Sequence, residues 1–157
     1  MAEWVRIRDV SQYAGQEVTL KGWVYSRTDK GRLQFVTVRD GTGYIQAVAF
    51  KKDISPEAFE AVRSLTQESS LIVTGQVRAD ERAPGGHELS IRDVQVVQIA
   101  EEYPITPKEH GIEFLMERRH LWIRSRGQLA ILSVRAEVIR AIRDWLDGHG
   151  FVNMDTP

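Results

Sequence analysis

The chain has no cysteine, which excludes disulfides and thiolate-bound zinc. Its four histidines lack the close spacing of a metal-ligand set, so no metal site is expected. No apolar run approaches the roughly 18 residues of a membrane span, and charges are scattered through the opening stretch MAEWVRIRDVSQYAG, which reads neither as a signal peptide nor as an anchor. An excess of either charge is missing as well. The formal net charge is −1, so bulk attraction to nucleic acid or to an anionic membrane is not available, and any polyanion site has to come from local clustering. What is present is 157 residues with 42% hydrophobic and 27% charged content, enough for one ordinary core or one small domain with an appendage. The expectation is a soluble, cytoplasmic protein with no membrane partner.

The first hundred residues are rich in strand signals. EVTLKGWVYSR, from Glu17, alternates Val18, Leu20, Gly22 and Val24 on one side with Thr19, Lys21, Trp23, Tyr25 and Arg27 on the other. TDKG at 28–31 supplies turn chemistry, RLQFVTVRD follows as a second strand, and DGTG at 40–43 reverses the chain into YIQAVAF. Pro56 suits the first turn of a helix over PEAFEAVRSL, where Ala58, Phe59, Val62 and Leu65 make an apolar stripe. Two further strand runs, SSLIVTGQVRAD and HELSIRDVQVVQIA, flank the loop ERAPGG, whose Pro84, Gly85 and Gly86 interrupt regular structure. The predicted order β-β-β-α-β-β is that of an all-β OB-fold, a five-stranded Greek-key barrel with one helix between strands 3 and 4. Such barrels bind oligonucleotides on the face of strands 2 and 3 and in nearby loops. Order alone leaves other five-stranded domains open and does not fix function.

Beyond Ala100 the character changes. EEYPITPKEHG carries two prolines, which favour an extended crossing segment. IEFLMERRHLWIRSRGQ packs aromatic and basic residues closely. LAILSVRAEVIRAIRDWLDGHG reads as a long amphipathic helix with Leu132, Ala136, Ile139, Ile142, Trp145 and Leu146 on its apolar side. FVNMDTP then looks like the start of a strand. The predicted organisation is a barrel over 1–100, a hinge over 101–124, and over 125–157 the opening helix and strand of a larger domain, truncated or completed by another chain.

Period-two alternation poses one question. If Val36 and Val38 face the core, Phe35 turns outward with Leu33 and Thr37, and Gln46 falls on the same side across the short turn. With Arg27 at the end of the preceding strand, these residues offer a ring for base stacking, an amide for a base edge and a guanidinium for phosphate or stacking, the parts of a single-strand nucleic-acid site. The alternative is that Phe35 is core with the register slipped by one. Likewise Arg27, Lys30, Arg32 and Arg78 are either contacts or solvated surface charges.

GWVYSRTDKGRLQFVTVRDGTGYIQAV closely resembles the anticodon-binding OB domain of the class II aspartyl-, asparaginyl- and lysyl-tRNA synthetases, with GWV, an Arg, a Gly, a Phe, an Arg-Asp and a Gln in matching order. EYPITPKEHGIEFLMERRHLWIRS resembles the hinge of asparaginyl-tRNA synthetases in particular, and GHGFVNMDTP resembles the first class II signature, with Pro157 standing where that signature's proline belongs. The resemblance implies that Phe35 stacks on the central anticodon uridine, that Gln46 bonds the same base, and that Arg27 helps hold that nucleotide or its neighbour. Arg78 and Glu88 would approach the other anticodon bases. Glu88 is equally well accounted for as a solvated strand-edge carboxylate. Arg118 and Arg119, with His120, would lie at the hinge near the tRNA, with intramolecular ion pairs as the competing account. The long helix would belong to the homodimer-forming part of the first signature.

The second and third class II signatures have no counterpart in these residues. The chain therefore carries no catalytic residue of its own, and ATP and magnesium are expected only in a full-length enzyme. The implied function is recognition of the tRNA(Asn) anticodon stem-loop, as the N-terminal part of an ATP-dependent asparagine–tRNA ligase. A non-discriminating aspartyl-tRNA synthetase fragment and a free-standing OB-fold nucleic-acid-binding protein are the alternatives.

Overall fold

The computed structural model describes residues 2–155, which fall into two compact units dividing between Pro104 and Ile105. In the first unit the strands are β1 (Glu3–Trp4), β2 (Glu17–Asp29), β3 (Leu33–Arg39), β4 (Tyr44–Phe50), β5 (Ser70–Ala79) and β6 (His87–Gln98), with helix α1 (Pro56–Ser64) between β4 and β5. They are ordered β1-β2-β3-β4-β6-β5, and β2 also pairs with β5, which closes β2 to β6 into a five-stranded barrel. Neighbouring strands of the barrel are antiparallel except for the parallel β4–β6 pair. This is the expected OB-fold. Closure removes the exposed strand edges that an open sheet of this size would carry.

The alternation that predicted the strands also fills the barrel. β3 and β4 both bury every second residue: Gln34, Val36 and Val38 on one, Ile45, Ala47 and Ala49 on the other. Val18, Leu20 and Val24 of β2, Val73 and Val77 of β5, and Leu89 of β6 are fully buried among them. Helix α1 starts where Pro56 allowed it. Ser55 Oγ accepts the Ala58 N–H at 3.1 Å, satisfying one of the amides that a helix leaves open at its start. The predicted stripe then turns Phe59 and Val62, with Leu65 just beyond the helix, into the core. At the β3–β4 turn, Asp40 Oδ1 accepts from the Thr42 and Gly43 amides at 2.8 and 3.2 Å, and Gly41 sits at φ 85°, which is why that turn needs Asp followed by Gly.

Besides the short strand β1 and a single 3-10 turn over Pro84–Gly86, in the loop expected to lack regular structure, two features of this unit were not expected. A 3-10 helix over Ile7–Tyr13 seals one end of the barrel with Ile7 and Val10, whose i, i+3 spacing matches its period of three. The other is a register shift in β2. Val24 pairs with Val38 but Ser26 pairs with Thr37, so an extra residue, Tyr25, sits in a bulge, and the faces of β2 exchange beyond it.

The second unit holds α2 (Ile112–Glu117), α3 (Arg119–Trp122) and α4 (Arg126–Gly148). The expected long helix is present, and it begins at Arg126 because Ser125 Oγ accepts the Gln128 N–H at 3.4 Å. Residues 101–111 are without helix or strand, apart from bends, as the prolines required, but two short helices occupy 112–122. The strand expected over FVNMDTP is not formed at Phe151–Asp155. A strand exists only with a hydrogen-bonded neighbour, and none of the described residues pairs with this stretch. Thr156 and Pro157, and with them the signature proline, lie outside the described residues.

Candidate nucleic-acid interface

Phe35 is half-buried on the outer face of β3, between the buried Gln34 and Val36. It therefore lies outside the core, and the alternative of a slipped register does not describe this barrel. Across β4 its direct partner is Val48, while Gln46 faces Thr37 two pairs further along, the next pair on the same face. Phe35 and Gln46 are thus diagonal neighbours on one face, the relation that brings a ring and a long amide within reach of one ligand.

The same face continues across the barrel in register. Thr37 pairs with Gln46, Gln46 with Glu88, and Glu88 with Arg78, so four strands contribute to one transverse row. Glu88 is half-buried within the row and Arg78 is exposed at its end. Beyond Thr37 and Gln46 the face ends in aromatic surface, where Tyr25 and Tyr44 meet edge to face with centroids 5.1 Å apart at 84°. At the opposite end, the tips of the strands carry exposed Lys30, Arg32, Lys51 and Lys52, with the Lys51 N–H bonded to the Arg32 carbonyl at 3.0 Å. A chain with net charge −1 thus carries four cations, together with exposed Asp29 and Asp53, at the tips of the strands that flank Phe35, an arrangement that can meet phosphates near a stacked base.

Arg27 does not join this face. Because of the bulge it pairs with buried Val36, and Thr28 is the residue opposite Phe35. The Arg27 guanidinium turns towards the end of α1: Nε donates to the Leu65 carbonyl at 3.0 Å and Nη1 to Gln34 Oε1 at 3.1 Å. Asp29 lies 3.8 Å away and also meets Arg63 at 3.6 Å. The Asp29 carboxyl is held below the usual carboxylate range, first by the neighbouring Gln34 side chain, then by the Gly31 N–H that donates to its Oδ1 at 2.7 Å, with Arg63 and Arg27 adding to it.

At the hinge, Arg118 lies over the Phe114 ring, 4.0 Å from its centroid, and donates to the Phe114 carbonyl at 3.3 Å and to Glu117 at 3.1 Å. Arg119 donates to the Met116 carbonyl at 3.2 Å. Both therefore hold local partners within the second unit. Among the described residues no group of three or more His, Cys, Asp or Glu side chains is placed to hold a metal.

Residues 18–97, just over half of the chain, match the family described as OB-fold nucleic acid binding domain, the anticodon-binding type. The chain belongs to that family. Residues 111–157 match the family of class II tRNA synthetases of the D, K and N type. An asparagine–tRNA ligase of Chloroflexus aurantiacus is 58% identical over 96% of this chain, and one of Symbiobacterium thermophilum is 56% identical over 99%. The crystal structure of asparaginyl-tRNA synthetase from Pyrococcus horikoshii superimposes on all of the chain with a TM-score of 0.89 at 40% identity. The chain spans about a third of the length of these relatives: 34%, 36% and 38% of them, respectively. The resemblance read from GWV through the Gln46 strand and from the hinge wording is therefore borne out across the whole sequence.

Within the OB domain, sequence reasoning missed Thr28 as the neighbour of Phe35 and the Tyr25–Tyr44 pair as the far border of the face. The tyrosines carried a signal, since each lies in a strand at an outward position. Thr28 carried none, because strict alternation places Arg27 there, and only the extra residue in β2 moves it.

Proposed function

We propose that this chain is the anticodon-reading part of an asparagine–tRNA ligase, and that its outward row is where the anticodon of tRNA(Asn) lies. The observation that carries the reading is the placement of Phe35 and Gln46 on one outer face of an OB barrel, in register with Glu88 and Arg78. The central uridine stacks on Phe35, a contact worth about 1–3 kcal/mol per base, and the Gln46 amide bonds its base edge. Glu88 and Arg78 meet the neighbouring anticodon bases, a carboxylate accepting from exocyclic amines and a guanidinium donating to base or phosphate oxygens. The cations at the strand tips draw in the backbone, which makes binding fall steeply with salt.

The rest of the enzyme, about two thirds of the length of the relatives, supplies the active site, where ATP with magnesium activates asparagine in the cytoplasm. Arg118 and Arg119 serve the hinge side of the tRNA, and α4 lies in the homodimer surface. The test has two arms. Full-length gene product is assayed for aminoacylation of tRNA with asparagine and with aspartate in parallel, and asparagine is the expected product. The 157-residue chain is titrated with an anticodon stem-loop carrying a central uridine and with the same stem-loop carrying cytidine, and the uridine form binds more tightly. Equal affinity for both, or charging with aspartate alone, overturns the reading.

A further inference from the structure

We propose that Arg27 is a positioning residue for the Phe35 face, pinning the β2–β3 hairpin to the end of α1 without touching the bound strand. The inference rests on the reading of that face given above. β2 pairs with β5 only over Glu17–Trp23, so its last stretch, Ser26–Asp29, is held on one side alone, by β3. A two-stranded tip of this kind is weakly ordered unless something ties it down. Arg27 supplies the tie. It spans from β2 to two acceptors on different elements, the carbonyl of Leu65, a residue 2% exposed at the end of α1, and the Oε1 of Gln34, a side chain with no exposure at all.

Gln34 is the residue before Phe35, so fixing its buried amide fixes the backbone that aims the ring. The planar guanidinium, with donors at fixed angles, meets both acceptors at once, which a lysine ammonium on a flexible stem does not reproduce. Asp29 and Arg63 extend the same tie between the hairpin tip and α1, with Arg63 anchored to Glu60 at 3.1 Å. All of these contacts lie on the side of β3 away from Phe35, so Arg27 acts on the ligand through the strand. A nucleotide-contacting arginine would instead leave its guanidinium facing outward beside the ring.

Two measurements on the full 157-residue chain test this, one with RNA and one without. Amide exchange of the free protein is expected to quicken roughly tenfold over residues 26–36 in Arg27→Met, the loss of a hydrogen bond or two, with β5 and β6 unchanged. Uniform acceleration or none overturns the pin. In titrations with the central-uridine stem-loop, Arg27→Met and Arg27→Lys are both expected to weaken binding roughly tenfold with the slope of log Kd against log salt unaltered, and Arg27→Met is expected to add nothing in a Phe35→Ala background. Wild-type affinity in Arg27→Lys, or a slope reduced by about 0.7 in Arg27→Met, means a direct phosphate contact and overturns the proposal. Should Phe35→Ala leave affinity untouched while exchange at 26–36 still quickens, the pin stands and the nucleic-acid reading of Phe35 is what fails.

Discussion

The two units solve the same problem, an amphipathic pattern needing a place to bury its apolar side, with opposite outcomes. In the barrel unit the five barrel strands turn an apolar side inward, and α1 adds Phe59 and Val62 to a single core. In the second unit no described residue is buried, and α4 displays Val138, Ile142 and Trp145 at 52%, 55% and 59% exposure. On its charged side Arg140 is bonded to Glu137 and, at 2.8 Å, to Asp144. Trp145 stacks on His149 with centroids 4.0 Å apart, a contact along one helix that leaves the rest of the ring uncovered. Periodicity states that a face is to be buried. It does not state by what, and only the barrel contains the answer among its own residues.

The sharpest way to test this contrast is to delete equivalent apolar bulk from each unit. Leu89→Ala, at a fully buried site, is expected to cost about 2–5 kcal/mol in a urea unfolding experiment. Ile142→Ala, on the open side of α4, is expected to change stability by less than about 0.5 kcal/mol. Equal costs would mean that the α4 face is covered in solution. The serine caps give a smaller version of the same comparison. Ser55→Ala removes the acceptor for Ala58 N–H and is expected to lower the barrel's cooperative unfolding free energy by about 1 kcal/mol. Ser125→Ala, with the longer 3.4 Å cap bond on α4, is expected to reduce helical circular dichroism while leaving the barrel transition in place.

The smallest effect concerns pH. Asp29 is held below the ordinary carboxylate value in the folded chain, so its contribution to stability is present above about pH 4 and is lost as pH falls through the lowered folded value. Wild type and Asp29→Asn are therefore expected to differ modestly in unfolding midpoint at pH 7 and to converge in acid. A difference that persists undiminished at pH 2 would assign the effect to packing and not to charge.

The barrel was largely legible because its signals are local. Val36 and Val38, Ile45 and Ala47, and the Asp40–Gly41 turn each declare a face or a reversal within a few residues, and together they sufficed to turn Phe35 and Gln46 outward. Arg27 shows where that logic stops. Alternation is a count, and a single inserted residue at Tyr25 reverses every later position of the strand without leaving a mark in composition. The 3-10 helix over Ile7–Tyr13 escaped because two apolar residues three apart are too little pattern to distinguish it from a loop. The strand expected after Gly150 failed for a non-local reason, since pairing depends on a partner that the segment's own residues do not specify.

The decisive measurement is the affinity of Phe35→Ala for an anticodon stem-loop with a central uridine, taken together with its thermal unfolding midpoint. Loss of about 1–3 kcal/mol of binding, roughly fivefold to more than a hundredfold in Kd, with the midpoint unchanged is the predicted result. Unchanged affinity with a lowered midpoint would return Phe35 to a purely structural part in the barrel and contradict the claim.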